Sequence, residues 1–220
     1  MKKSLLFSIS LLLVSQVNIL HAESNIAAGK EKSASCAGCH GEDGNSQASN
    51  FPKLAGQHVS YLAKQMSAFK TGARKDAMMG PMVAGLSDQD MLDIAGYYAA
   101  AKLAPNKLPE VEKAADADSQ AKADEEQTKL VEEGRYLYRY GDLNSQVSAC
   151  ISCHGPFGDG NKPASFPVLK AQHADYLIKT LTDFKNNSRS NNPENMMHMI
   201  AKKLSDREIK AVSYYLSTLK

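Results

Sequence analysis

Tryptophan is missing from this chain of 220 residues, and phenylalanine occurs only six times. Small helical domains so poor in large aromatics bury little apolar surface and are marginal on their own. Charge of one sign is missing too. The 26 basic side chains nearly balance the 24 acidic ones, and no basic patch interleaved with aromatics occurs, which argues against nucleic acid as a partner. Period-two alternation of apolar and polar residues is nowhere convincing, so strands are not expected. Beyond residue 22 no apolar run approaches the ~20 residues that span a bilayer. Cysteine is scarce as well, but the four present are written as two close pairs.

The first residues are a separate matter. Met1-Lys2-Lys3 is a positive start, Leu5 to Val14 is apolar and uncharged, and a small residue, Ala22, closes the segment. That order reads as a secretory signal peptide over residues 1–22, cleaved before Glu23, with a retained N-terminal anchor as the alternative. The mature chain is therefore expected in the periplasm as a soluble protein.

An internal repeat organises the rest. "NFPKLAGQHVSYLAKQMSAFKTG" at Asn50 aligns with "SFPVLKAQHADYLIKTLTDFKNN" at Ser165, and "LSDQDMLDIAGYY" aligns with "LSDREIKAVSYY". Two copies of one domain follow, over residues 23–108 and 134–220, with 109–133 between them. The intervening segment holds nine acidic and three basic residues and reads as a solvated linker or an exposed helix. The second domain holds twelve basic and seven acidic residues, so the two blocks would orient the molecule on charged partners, with rates that fall as salt rises. Both copies read as all-α. Val59, Leu62, Ala63, Met66 and Phe69 mark one helical face. Ser87 and Ser205 are N-caps, each followed by acidic residues in the first turn.

Cys36-x-x-Cys39-His40 and Cys150-x-x-Cys153-His154 carry the chemistry. A thioredoxin-like redox pair needs a βαβ context that is absent. A zinc site lacks a convincing fourth ligand in each copy. Disulfides within the pairs would close loops too short to stabilise much. Covalent haem attachment explains every residue: cysteines at i and i+3 share one side of a helical turn, and the histidine at i+4 ligates the iron. Two covalent c-type haems also supply the apolar core that the domains lack. Pro52 and Pro167, each in a repeated Phe-Pro, are placed to offer a carbonyl to the ligating histidine.

A closed electron-transferring iron needs a sixth ligand, commonly methionine. Met79 lies eight residues before Ser87 and Met197 eight before Ser205, so this pair is favoured. Met78 and Met196 share the same register and remain rivals. Met82 corresponds to Ile200 and fails the test. His58 and His173 also recur, but each opens a predicted helix and reads as a cap or surface group.

The motifs CAGCHGEDGNS, NFPKLAGQ, YLAKQM and LSDQD in the first half, with CISCHG, GDGN, FPVLKAQHADYL and LTDFK in the second, identify a resemblance. From about Ile26 to Lys220 the chain resembles the cytochrome c4 family, the dihaem periplasmic cytochromes of bacteria. The resemblance implies two tandem class I cytochrome c folds with their haem sides facing each other. It implies His–Met ligation by His40 with Met79 and by His154 with Met197. It also implies electron delivery from a quinol-oxidising complex (quinol–cytochrome c reductase) to a terminal haem–copper oxidase, without enzymatic chemistry. Two alternatives stand beside this reading. One is a fixed cytochrome subunit of a larger redox complex, associated with the membrane. The other is an enzyme such as a dihaem peroxidase or a sulfur-compound dehydrogenase, which would need one iron with an open or displaceable ligand.

Overall fold

The computed structural model describes residues 23–106, 108–109 and 116–220. The predicted signal peptide lies outside these residues. In the first half, α1 (Ile26–Lys32) leads through a single 3₁₀ turn, Ser33–Ser35, into the short α2 (Ala37–His40). After a loop come α3 (Val59–Lys70), α4 (Met79–Val83) and α5 (Asp88–Ala100). The second half repeats the order with α6 (Ala117–Tyr140), α7 (Ile151–His154), α8 (Ala174–Lys185), α9 (Met196–Ala201) and α10 (Asp206–Thr218). Among the described residues the only extended pairings are isolated bridges, Asp142 with Val147 and Asn161 with Phe166. No described helix is long and apolar enough to cross a membrane.

Local sequence explains the helix starts. Ser87 accepts from the Asp90 N–H at 3.1 Å while the Asp90 carboxylate accepts from the Ser87 N–H at 2.8 Å. Ser205 and Glu208 form the same capping box in α10, so two otherwise orphaned donors are satisfied at each end. Behind these caps, Met91, Ile94, Ala95 and Tyr98 face inward along α5, and Ile209, Val212, Tyr215 and Leu216 along α10. Leu62 of α3 completes the first cluster and Leu177 of α8 joins the second. The first cluster contains only four fully buried apolar residues. A core that small leaves much of the domain's interior to be filled by something else.

Of the two forms expected of the acidic stretch, its described residues from Ala117 take the helical one. From there α6 runs on without a break to Tyr140. Leu130, Gly134, Leu137 and Tyr138 are its buried residues, spaced for one face, and they pack on α10. Arg207 of α10 bridges Glu126 and Glu133 at 2.6 and 2.8 Å, while Lys129 and Arg135 pair with Glu125 and Glu132. Arg207 thus ties the described part of the acidic segment to the second domain.

α1 and α5 cross closely in the first half, as α6 and α10 do in the second. Gly29 and Gly134 make this contact: a Cβ at Gly29 would collide with the Asp93 carbonyl, and one at Gly134 with the Ala211 carbonyl.

Candidate functional site

Each Cys-x-x-Cys-His segment is one helical turn. The His40 N–H donates to the Cys36 carbonyl at 3.0 Å, and the His154 N–H to the Cys150 carbonyl at 2.9 Å. This winding puts both cysteines of a pair and their histidine on the wall of the same cavity. Burial pushes the Cys36 thiol up, and the Cys150 thiol up to about 11. A redox-active pair needs the opposite, a thiol depressed toward neutrality, so the thioredoxin-like reading fails on chemistry as well as context. Among the described residues, no three of His, Cys, Asp and Glu converge as metal ligands.

The histidines are held from behind. His40 Nδ1 lies 2.9 Å from the Pro52 carbonyl and His154 Nδ1 lies 3.1 Å from that of Pro167. A carbonyl only accepts, so Nδ1 carries the proton in both and Nε2 is left as a lone pair. Burial lowers both imidazole pKa values and keeps the rings neutral. A neutral imidazole with a fixed tautomer is what an iron ligand must be. Phe51 and Phe166 set their rings beside His40 and His154 at 6.3 and 6.2 Å between centroids, so the repeated Phe-Pro gives each histidine both a carbonyl partner and an aromatic neighbour.

Cys36, Cys39, His40 and Met79 of the first domain and Cys150, Cys153, His154 and Met197 of the second all border one continuous cavity of about 850 Å³. The two halves of the site therefore face each other across the domain interface. Leu54, Leu62 and Ile94 line one half and Leu169, Leu177 and Ile200 the other. Of the rival methionines, Met78 and Met196 are 56 % and 39 % exposed, whereas Met79 and Met197 are half-buried. Asp76 Oδ1 accepts from the Met79 N–H at 3.0 Å, and Asn192 Oδ1 from the Met197 N–H at 2.8 Å, which holds each short helix start in place.

Two residues of the cavity wall escaped the sequence reading. Arg74 and Arg189 lie on the cavity wall, each stacked 4.5 Å over a phenylalanine, Phe69 and Phe184. Arg74 reaches across to the Tyr176 hydroxyl at 3.2 Å, and Arg189 reaches back to that of Tyr61 at 3.1 Å. Among the described residues neither guanidinium has a carboxylate partner, and Arg189 is only 7 % exposed. A buried cation without an anion is costly, so the cavity suits a group that is apolar in its body and carries carboxylates. A haem with its two propionates has that character. The signal was present in the repeat, since Phe-Lys-x-x-x-Arg occurs at both Phe69 and Phe184.

His173 is a second departure. It was expected as a cap or surface group, yet it makes no capping bond and is 8 % exposed. Its Nε2 lies 2.9 Å from the Ser46 carbonyl in the other domain, and Nδ1 lies 3.3 Å from the Asn106 amide. It serves the interface. His58 is half-buried, and its Nε2 has no hydrogen-bond partner.

Comparison with known proteins agrees with this geometry. Residues 26–102 and 131–220 match the family described as cytochrome c. The chain is 43 % identical to a cytochrome c4 of Azotobacter vinelandii over 95 % of this chain and 96 % of that protein. It also matches the crystal structure of reduced recombinant cytochrome c4 from Pseudomonas stutzeri, with a TM-score of 0.79 and 39 % identity over 90 % of this chain and 100 % of that one. A more distant relative, 34 % identical over 89 % of this chain and 83 % of its own length, is a thiosulfate dehydrogenase electron acceptor of Thiomonas intermedia. Two c-type haems are bound covalently through cysteines, one in each helical domain, and the protein transfers electrons with redox partners. The chain belongs to the cytochrome c family, among the dihaem cytochromes c4.

Proposed function

We propose that this protein is a periplasmic carrier that takes electrons from a quinol-oxidising complex and delivers them to a terminal haem–copper oxidase, and that it performs no substrate chemistry of its own. The observation that carries the reading is the equivalence of the two sites. Each half of the cavity presents two cysteines, a back-bonded histidine and a half-buried methionine in the same order. When bound, a haem supplies one-electron transfer between ferric and ferrous iron.

The chain's own residues do the rest. Cys36 and Cys39, and Cys150 and Cys153, tether the group. His40 and His154 offer Nε2 to the iron, with Nδ1–H spent on the proline carbonyls. Met79 and Met197 would hold the iron from the methionine side, where a thioether ligand would keep out small-molecule substrates and raise the reduction potential. Arg74 and Arg189 are positioned to balance carboxylates in the cavity. Two sites built alike in this way would leave neither one specialised for a peroxidase or dehydrogenase reaction.

The test is reconstitution with purified partners. Reduced protein should pass electrons rapidly to a haem–copper oxidase, and oxidised protein should be reduced by a quinol-oxidising complex. Fast reduction by a thiosulfate dehydrogenase alone would instead favour the role that names the Thiomonas intermedia relative. Turnover of peroxide or of a sulfur compound by the isolated protein would overturn the carrier reading.

A further inference from the structure

Gln57 and Gln172 hold the same place in the two copies, and each reaches across the interface to the other domain's main chain. Gln172 Oε1 accepts from the Lys53 N–H at 2.9 Å, and its amide donates to the Lys53 carbonyl at 2.9 Å. Gln57 treats Val168 the same way, at 2.9 Å for both bonds. All four bonds are buried. Because each side chain is paired at both its oxygen and its nitrogen, the amide orientation follows from chemistry.

Lys53 and Val168 directly follow Pro52 and Pro167. The N–H that Gln172 holds therefore belongs to the same peptide group whose carbonyl accepts from His40, and the N–H that Gln57 holds belongs to the group that accepts from His154. A peptide group is conjugated, so a hydrogen bond at its N–H draws electron density toward its oxygen. Bonds linked in this way strengthen one another by ~10–30 % each. A stronger acceptor at Nδ1–H makes the imidazole a better donor at Nε2, which favours ferric over ferrous iron.

We propose that Gln172 tunes the haem of the first domain and Gln57 that of the second, each lowering the reduction potential of the haem in the opposite domain through one peptide group. This rests on His40 and His154 as the iron ligands. Docking of the two domains thereby becomes part of what sets the driving force for electron transfer. Both glutamines border the cavity, but their amides are spent on the Lys53 and Val168 main chain, so they act as positioning residues.

The test uses the dihaem protein with Gln172→Met, Gln172→Glu, Gln57→Met and Gln57→Glu. Each haem's potential is resolved by spectroelectrochemical titration, and the ferric histidine Nδ1–H resonances are followed by proton NMR. Gln172→Met, of similar length but with no acceptor for the N–H, is expected to raise the first haem's potential and leave the second unmoved. The shift should correspond to less than about tenfold in the haem-to-haem electron distribution, since the group lies one bond beyond the ligand's own partner. Gln172→Glu keeps an acceptor and should sit at or below the wild-type value. The Gln57 pair should do the same to the second haem, and it reads the same relay should Gln172→Met fail to assemble. A purely structural role predicts otherwise: a loosened interface admits water to both haems and lowers both potentials. That pattern, or unmoved potentials with intact Nδ1–H signals, overturns the proposal alone. Absence of those signals from the wild type overturns the ligand assignment and the proposal together.

Discussion

Gly134 of α6 lies against the main-chain carbonyl of Ala211 in α10, in the same relation that Gly29 of α1 bears to Asp93 of α5. Both contacts bring helix backbones together at the crossing on which each domain is built. Gly29→Ala and Gly134→Ala should each destabilise by about 1–3 kcal/mol, the usual cost of forcing a methyl group into a packed contact. Gly85→Ala, where a Cβ meets nothing within 4 Å, is the control and should be near neutral. Denaturant unfolding of the three holoproteins measures this, and equal stabilities would show that the crossings can relax.

The methionines give a spectroscopic prediction. Met79 and Met197 are half-buried on the cavity wall, whereas Met78 and Met196 are exposed. Met79→Ala and Met197→Ala should each remove about half of the weak far-red band that reports methionine sulfur on ferric iron, and should lower the affected haem's potential. Met78→Ala and Met196→Ala should leave the band intact. Loss of the band in either of those two would move the ligand assignment by one residue.

What could be read from the sequence was what local chemistry or the repeat decides. Ser87 and Ser205 announce their helices because a capping box is closed within four residues. The Cys-x-x-Cys-His turns are legible because spacing alone puts three side chains on one wall. The repeat then separated Met79 from Met82 by register. The stretch at 109–133 was ambiguous because its composition suits a solvated linker as well as a helix. Only Leu130, followed by the face of Gly134, Leu137 and Tyr138, shows that the helix continues and packs. His173, Gln57 and Gln172 were opaque for a different reason: their partners are more than a hundred residues away, in the other domain. Arg74 and Arg189 repeat in sequence, but nothing local says that Arg189 is buried and Arg74 half-buried without a carboxylate partner among the described residues.

Asp93 supplies a pH prediction at the acid end. The Lys32 ammonium, 2.8 Å away, together with the Asn25 N–H and the Gln89 amide, holds its carboxyl at about 2, below the ordinary 3.8. A depressed folded pKa means that the contribution is complete above the unfolded value and is lost as pH falls toward the folded one. The stability gap between wild type and Asp93→Asn should therefore be constant above about pH 4 and close as the pH approaches 2. Unfolding followed by circular dichroism across that window measures the gap. A gap that persists unchanged at the acid limit would assign Asp93's role to packing, independent of its charge.

At the interface the same sign applies at higher pH. Burial lowers the His173 pKa from the ordinary 6.5, and the Lys53 charge pushes in the same direction, against the Ser46 carbonyl and Asp175, which raise it. Neutral His173 donates Nε2–H to the Ser46 carbonyl and accepts at Nδ1 from the Asn106 amide. Protonation would set an N–H at Nδ1 against that amide donor. Interdomain stability should therefore be complete above about pH 6.5 and decline as pH falls through the folded pKa. His58, also lowered mainly by burial, adds to the same slope. His173→Gln should flatten part of that decline while lowering stability at neutral pH, because an amide can still donate to Ser46 but cannot titrate. The measurement is hydrogen exchange of the Lys53 and Val168 amides, which the interface glutamines protect. Protection that stays constant between pH 7 and 5 in the wild type would remove His173 from the control of docking.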